Sequence, residues 1–243
     1  MKYVVRCLSA LLIAASLLSM GGRVASAGME LVVVHVVGAA LKRGAVIDGT
    51  KPLRLEAGWS VTLISSDGKV ITLVGPSERA PAADFRQGTG DPRIIEAIGA
   101  LLSAHERSTA SLGVVRSADG VVDVAATSDP WAVNVDRSGP GCVRGDTIVL
   151  WRGDASKAAT LSISSAGAMR RAEAVWPAGQ SQLPLNAHGF RDGASYVVEL
   201  DGRRIELTLY VAPVALEPEA AQVAWMTQAG CEAQALALLD KLR

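Results

Sequence analysis

Three histidines, His35, His105 and His188, are the only imidazoles that could serve as bases in this chain of 243 residues. His35 stands inside the Val-rich run "LVVVHVV", where strand alternation places it on the face of Val33 and Val37. His105 falls at the C-terminal end of a predicted helix, a position where the helix dipole favours a cation. His188 precedes Gly189 and reads as a loop residue. No two of the three have the spacing of zinc ligands, and no G-x-S-x-G elbow supplies an activated serine. A hydrolase would have to gather one of these histidines with a serine or an acid in one pocket. Paired carboxylates could cleave glycosides, but the acids fall in Asp-Gly turns, at helix caps or at solvent-facing strand positions such as Glu199 and Glu206. The sequence therefore assigns no catalytic residue, no metal ligand and no cofactor, and the chain reads as a non-enzyme.

Sulfur chemistry is more informative. The cysteines are Cys7, Cys142 and Cys231. Cys7 lies in "CLSALLIAASLLSM", an uncharged apolar run preceded by Lys2 and Arg6 and followed by Ala25 and Ala27 at A-x-A spacing. That is the pattern of a secretory signal peptide over residues 1–27, cut after Ala27. The run is shorter than the roughly 20 residues a membrane span requires, and the chain after the cut is expected to cross no membrane. Cleavage would leave Cys142 and Cys231, an even pair in an oxidising compartment, which reads as one disulfide. Such a bridge closes a loop of about 90 residues, worth about 4–5 kcal/mol in the chain-entropy model. The alternative is a reactive thiol at the N-terminus of the last helix. The expected location is periplasmic or secreted.

The five tryptophans could form a sugar-stacking platform or plug the core of a chain that has only two Phe and three Tyr. Trp131, Trp151 and Trp176 suit the second role; Trp59, following Gly58 at the mouth of a strand, is the candidate ligand-binding residue. Two Arg-Gly-Asp triplets, Arg144–Asp146 and Arg152–Asp154, flank one predicted strand and read as turn material. Loss of residues 1–27 would remove Lys2, Arg6 and Arg23 and no acid, leaving 21 basic against 24 acidic residues, a net charge of −3. Nothing in that balance attracts nucleic acid or an anionic membrane face.

The elements that must position these residues are mostly β. Residues 28–76 hold short alternating strands, with Asp67-Gly68 between "SVTLI" and "KVITLV" as a hairpin signal. Residues 77–110 form a linker around a helix at 91–106, opened by Asp91 as N-cap and Pro92 at the first helical position. Ile94, Ile95, Ile98, Leu101 and Leu102 recur on one face of it. Residues 111–216 carry further Asp-Gly hairpins, at 119–120 and 201–202, and short strands at the spacing of an antiparallel sandwich. Residues 217–243 are a helical tail with Gly230 as a C-cap, and a leucine stripe too short to be stable unless docked.

The stretch "GAVIDGTKPLRLEAGWSVTLISSDGKVITLVGP" resembles the FecR-like periplasmic domain, through Leu53, Leu55, Gly58, Val61, Leu63, Gly68, Ile71, Leu73 and Gly75. The later "LWRG" and "AVWPAGQSQLPLNAHGFRDGASYVVELDG" resemble immunoglobulin-like modules appended to such domains. The resemblance implies a non-catalytic unit that relays or scaffolds signals at the cell envelope, without the membrane helix of the signalling members. The expected function is thus an exported, non-enzymatic envelope module that binds an envelope protein or assists sensing and scaffolding. The alternative is a glycan or peptidoglycan binder using exposed Trp or Tyr.

Overall fold

The computed structural model describes residues 28–85, 90–114, 129–165 and 171–243. The signal-peptide reading, its cleavage at Ala27 and the Asp119-Gly120 hairpin lie outside them. Strand β1, Glu30–Val37, is the heart of the N-terminal unit. With β2 (Val46–Asp48), β4 (Ser60–Ser65) and β5 (Val70–Val74) it forms an antiparallel sheet ordered β2-β1-β4-β5. β3 (Leu53–Leu55) and β6 (Ser77–Arg79) pair as a separate ribbon. The unit therefore runs past residue 76: β6 lies in the segment expected to be linker, and Phe85 is buried in the unit's core.

Leu31, Val32, Val33 and Val34 are all fully buried, so β1 is covered on both faces. Leu31 and Val33 join Val61, Leu63, Leu73 and Phe85 in one core, whereas Val32, Val34 and Ile64 face another. A register shift between Val33 and His35 then reverses the alternation: Val33 pairs with Leu63, but His35 pairs with Thr62, the next residue back along β4. His35 consequently shares a face with Val37 and not with Val33, against the simple period-2 expectation.

The second core is built by helices. α1 spans Pro92–Val114, eight residues beyond the expected end, so His105 sits in the body of the helix and not at its terminus. Asp91 caps it, its carboxylate accepting the Arg93 amide at 3.0 Å. The Ile94, Ile95, Ile98, Leu101 and Leu102 face is buried against β1 and against α2 (Glu219–Gln228), which in turn carries α3 (Glu232–Lys241). Gly230, with φ of 80°, turns the chain between α2 and α3, and the Cys231 amide closes back on the Met226 carbonyl at 2.8 Å. The last helices are thus the second half of the N-terminal unit. Exposing Val32, Val34 and Ile64 would cost about 1.5–3 kcal/mol each, a large share of the roughly 5–15 kcal/mol that holds a domain folded.

Between these helical segments lies the sandwich. Its strands are β7 (Ala132–Asn134), β8 (Gly139–Val143), β9 (Thr147–Trp151), β10 (Ala159–Ser165), β11 (Ala172–Trp176), β12 (Gln182–Asn186), β13 (Ala194–Leu200) and β14 (Arg203–Val211). One sheet is ordered β11-β10-β13-β14-β8 and the other β12-β9-β7. The pairing is antiparallel except where β8 runs parallel to β14 and β7 parallel to β9. Consecutive strands β7 and β8 therefore belong to opposite sheets. Trp176, fully buried, fills the core with Leu150, Leu161, Val198, Leu207 and Leu209. Tyr196 is also buried, and its hydroxyl accepts the Arg191 amide at 2.8 Å, fixing the turn before β13.

The Asp-Gly turns differ. Asp201 and Gly202 both have positive φ, 50° and 82°, in a two-residue hairpin that places Leu200 opposite Arg203. At Asp67-Gly68 only Gly68 is left-handed, and the Ser65 carbonyl accepts the Gly68 amide, making a three-residue loop.

Candidate functional site

Helical layer and sandwich meet at β8 and α3. Cys142, fully buried in β8, is disulfide-bonded to Cys231, the residue preceding α3, with Cα atoms 6.0 Å apart. One turn further on, the buried Gln234 side chain accepts the Cys142 amide at 2.8 Å and donates to the carbonyls of Cys142 (2.8 Å) and Pro130 (3.0 Å). The Gln234 amide makes the hydrogen bonds that a neighbouring strand would make at this outer edge of β8. On the far side Trp131 stacks on Trp225 of α2 at 6.4 Å between centroids, and the Arg144 guanidinium lies 4.9 Å over the Trp131 ring. Trp131 accordingly belongs to the helical core and not to the sandwich core expected for it.

Over the disulfide opens a groove of about 750 Å³ between α1, α3 and the β7–β8 loop. Its apolar lining includes Leu236, Ala237 and Pro140. Its cations are Arg43, Arg137 and Arg243, with His105 beside them, against the acids Glu232 and Asp240. Two of the arginines are held. Arg43 donates Nε to the Val34 carbonyl at 3.0 Å. Arg243 is ion-paired with Asp240, and its side chain is 28% exposed. Burial, followed by the charge of neighbouring Arg43, lowers the Arg243 pKa below its ordinary value.

Arg137 is exposed on a pinned loop. On its N-terminal side, the Asp136 carboxylate pairs with Arg203 at 3.2 Å and accepts the Gly153 amide at 2.6 Å. On its C-terminal side, Ser138 Oγ accepts the Glu206 amide at 2.9 Å. A loop so held presents its charge from a fixed backbone, leaving only the Arg137 side chain to be ordered on binding.

Of the residues expected from sequence to matter, Cys231 lines this groove and Cys142 lies beneath it. Trp59 is elsewhere, half-buried against the N-terminal core, its ring so near Gly38 that a Cβ there would meet Cδ1 at 2.3 Å. Trp131, Trp151 and Trp176 are interior. Both Arg-Gly-Asp triplets are structural at their arginines. Arg152, 3% exposed, donates to the carbonyls of Lys157, Pro177 and Gln180 and stacks on Trp176, while Arg144 covers Trp131. His35, His105 and His188 lie on separate elements; the His188 amide and ring both contact Asn186. Sequence reasoning passed over Arg43, Arg137, Gln234 and Arg243, because nothing local marks arginines that meet only through the return of the C-terminal helices.

Among the described residues no three His, Cys, Asp or Glu side chains are grouped to hold a metal, and no helix is long and apolar enough to cross a membrane. Comparison with protein-family models, with curated proteins and with solved structures found no match to this chain.

Proposed function

We propose that the chain is an exported, non-enzymatic cell-envelope protein that acts as a protein-binding or accessory scaffolding and sensing module. The observation that carries the reading is the buried Cys142–Cys231 bridge beneath a groove formed jointly by the two bodies it ties. A disulfide persists in oxidising compartments outside the cytosol, which supports the leader over residues 1–27 and a periplasmic or secreted location. Fixing the two walls of the groove covalently leaves less freedom to lose when a partner docks. The immunoglobulin-like resemblance is supported by the two-sheet strand order, with β8 beside the last strand, and by the Tyr196 hydroxyl bound to upstream backbone. For the N-terminal unit the FecR-like resemblance implies the same non-catalytic, envelope-facing role.

Photo-crosslinking in intact cells tests this, with the photoreactive residue at Ala237 in the groove or at Val175, an exposed side chain on β11 of the sandwich. The expected result is a mature chain lacking residues 1–27 in the envelope fraction, crosslinked to a discrete protein from Ala237 and not from Val175. A cytosolic chain with its leader attached, or equal crosslinking from both positions, would contradict the reading.

A further inference from the structure

We propose that the groove over the disulfide is a site for an acidic, extended polypeptide segment, in which Arg43 and Arg137 bind carboxylates while Leu236, Ala237 and Pro140 hold intervening aliphatic side chains. The inference rests on the protein-binding reading above and adds the chemistry of the partner.

Three features of the groove support it. With Arg243 and Asp240 paired to each other, Arg43 and Arg137 stand against the single acid Glu232. Among the described residues Arg43 is tethered through Nε alone, so its two terminal amino groups can form a fork with a carboxylate. Arg137 sits on the loop pinned by Asp136 and Ser138, so the backbone that carries the second positive charge is fixed on the β7–β8 wall. The apolar side chains between these charges distinguish the expected ligand. A bare polyanion such as polyphosphate would satisfy the arginines and leave the Leu236 and Pro140 surfaces uncovered; a peptide alternating Glu and Leu would engage both.

The test is fluorescence anisotropy of the oxidised full mature chain with a labelled Glu-Leu repeat peptide, a Lys-Leu repeat of equal length, and inorganic polyphosphate as competitor. The expected result is salt-sensitive binding of the Glu-Leu peptide, no binding of the Lys-Leu peptide, and weak competition by polyphosphate. Arg43→Ala and Arg137→Glu should each weaken the Glu-Leu peptide by about tenfold or more, the cost of a hydrogen bond to a charged group. Arg43→Ala also removes the bond to Val34, so Arg137→Glu, on an exposed side chain, gives the reading independent of folding.

Absent binding of the Glu-Leu peptide, unchanged affinity in Arg137→Glu, or polyphosphate binding tighter than the peptide would overturn the proposal. Crosslinking from Ala237 that persists in Arg137→Glu would overturn it and leave the protein-binding reading standing. Absence of any groove crosslink would remove that reading instead.

Discussion

The two β units bury their cores in different ways. The sandwich closes on itself: Val133, Ile148, Leu150, Leu161, Trp176, Val198 and Leu207 all come from the continuous stretch between β7 and β14. The N-terminal unit does not. One face of β1 is covered by residues within the first 85, but Val32, Val34 and Ile64 share a core with α1, which packs on β1, and with α2 and α3, which begin at residue 219 and close that core from beyond α1. The lesson concerns cooperativity. A core of sequence-local elements can survive alone, whereas a core that borrows its second half from the far end of the chain stands or falls with that end.

The largest expected effect follows from this contrast. Ending the chain after Leu216 should unfold the N-terminal unit and leave the sandwich folded. Near-ultraviolet circular dichroism and limited proteolysis would check it, with the stretch from β7 to β14 surviving as a resistant fragment. A truncated chain that keeps β1 and β4 protected would break the comparison.

Replacing both disulfide cysteines, Cys142→Ala with Cys231→Ala, comes next. The sequence separation of 89 corresponds to at most about 4–5 kcal/mol in the loop-entropy model. Urea denaturation should show the loss concentrated in the transition that reports α2 and α3, and a smaller change in the sandwich. A uniform shift of both would mean that the two bodies unfold as one.

Gln234→Ala sharpens the same boundary at lower cost. It strands the buried Cys142 amide and carbonyl without a partner, a loss of about 1–3 kcal/mol by equilibrium denaturation. Retention of full stability would show that the glutamine does not act as the substitute strand.

The smallest effect is a pH dependence at the start of α1. The Arg93 side chain, then its backbone amide, hold the Asp91 carboxyl below the usual carboxylate range. A carboxylate with a depressed folded pKa stabilises above its unfolded pKa, and the contribution disappears as pH falls through the folded value. Thermal melts of wild type should therefore lose a small increment in acid that Asp91→Ala lacks already at neutral pH. Equal acid sensitivity of the two proteins would contradict the cap.

The same contrast explains what sequence made legible. Hairpins with local chemistry were readable: Asp201-Gly202 takes the two-residue turn its residues favour, and β13 and β14 alternate around it. The Ile-Leu face of α1 and the docking need of the last helices were also readable from periodicity. Their destination was not, because a hydrophobic stripe states that it must be covered and not by what. The short strands β7, β8 and β12 escaped the pattern: β7 has only three residues, and Gly139-Pro140-Gly141 in β8 and Pro184 in β12 suppress the alternation that marks a strand. The groove was least legible of all. Arg43, Arg137 and Arg243 lie far apart in the chain and are brought to one place by α3.

Native-state hydrogen exchange on the oxidised full chain tests the central claim most directly. If the C-terminal helices complete the N-terminal unit, amides of β1, β4, α1, α2 and α3 will open together as one set, distinct from those of β10, β13 and β14. Opening of α2 and α3 at much lower free energy, while β1 and β4 stay protected, would show that the tail is an appendage and that the account is wrong.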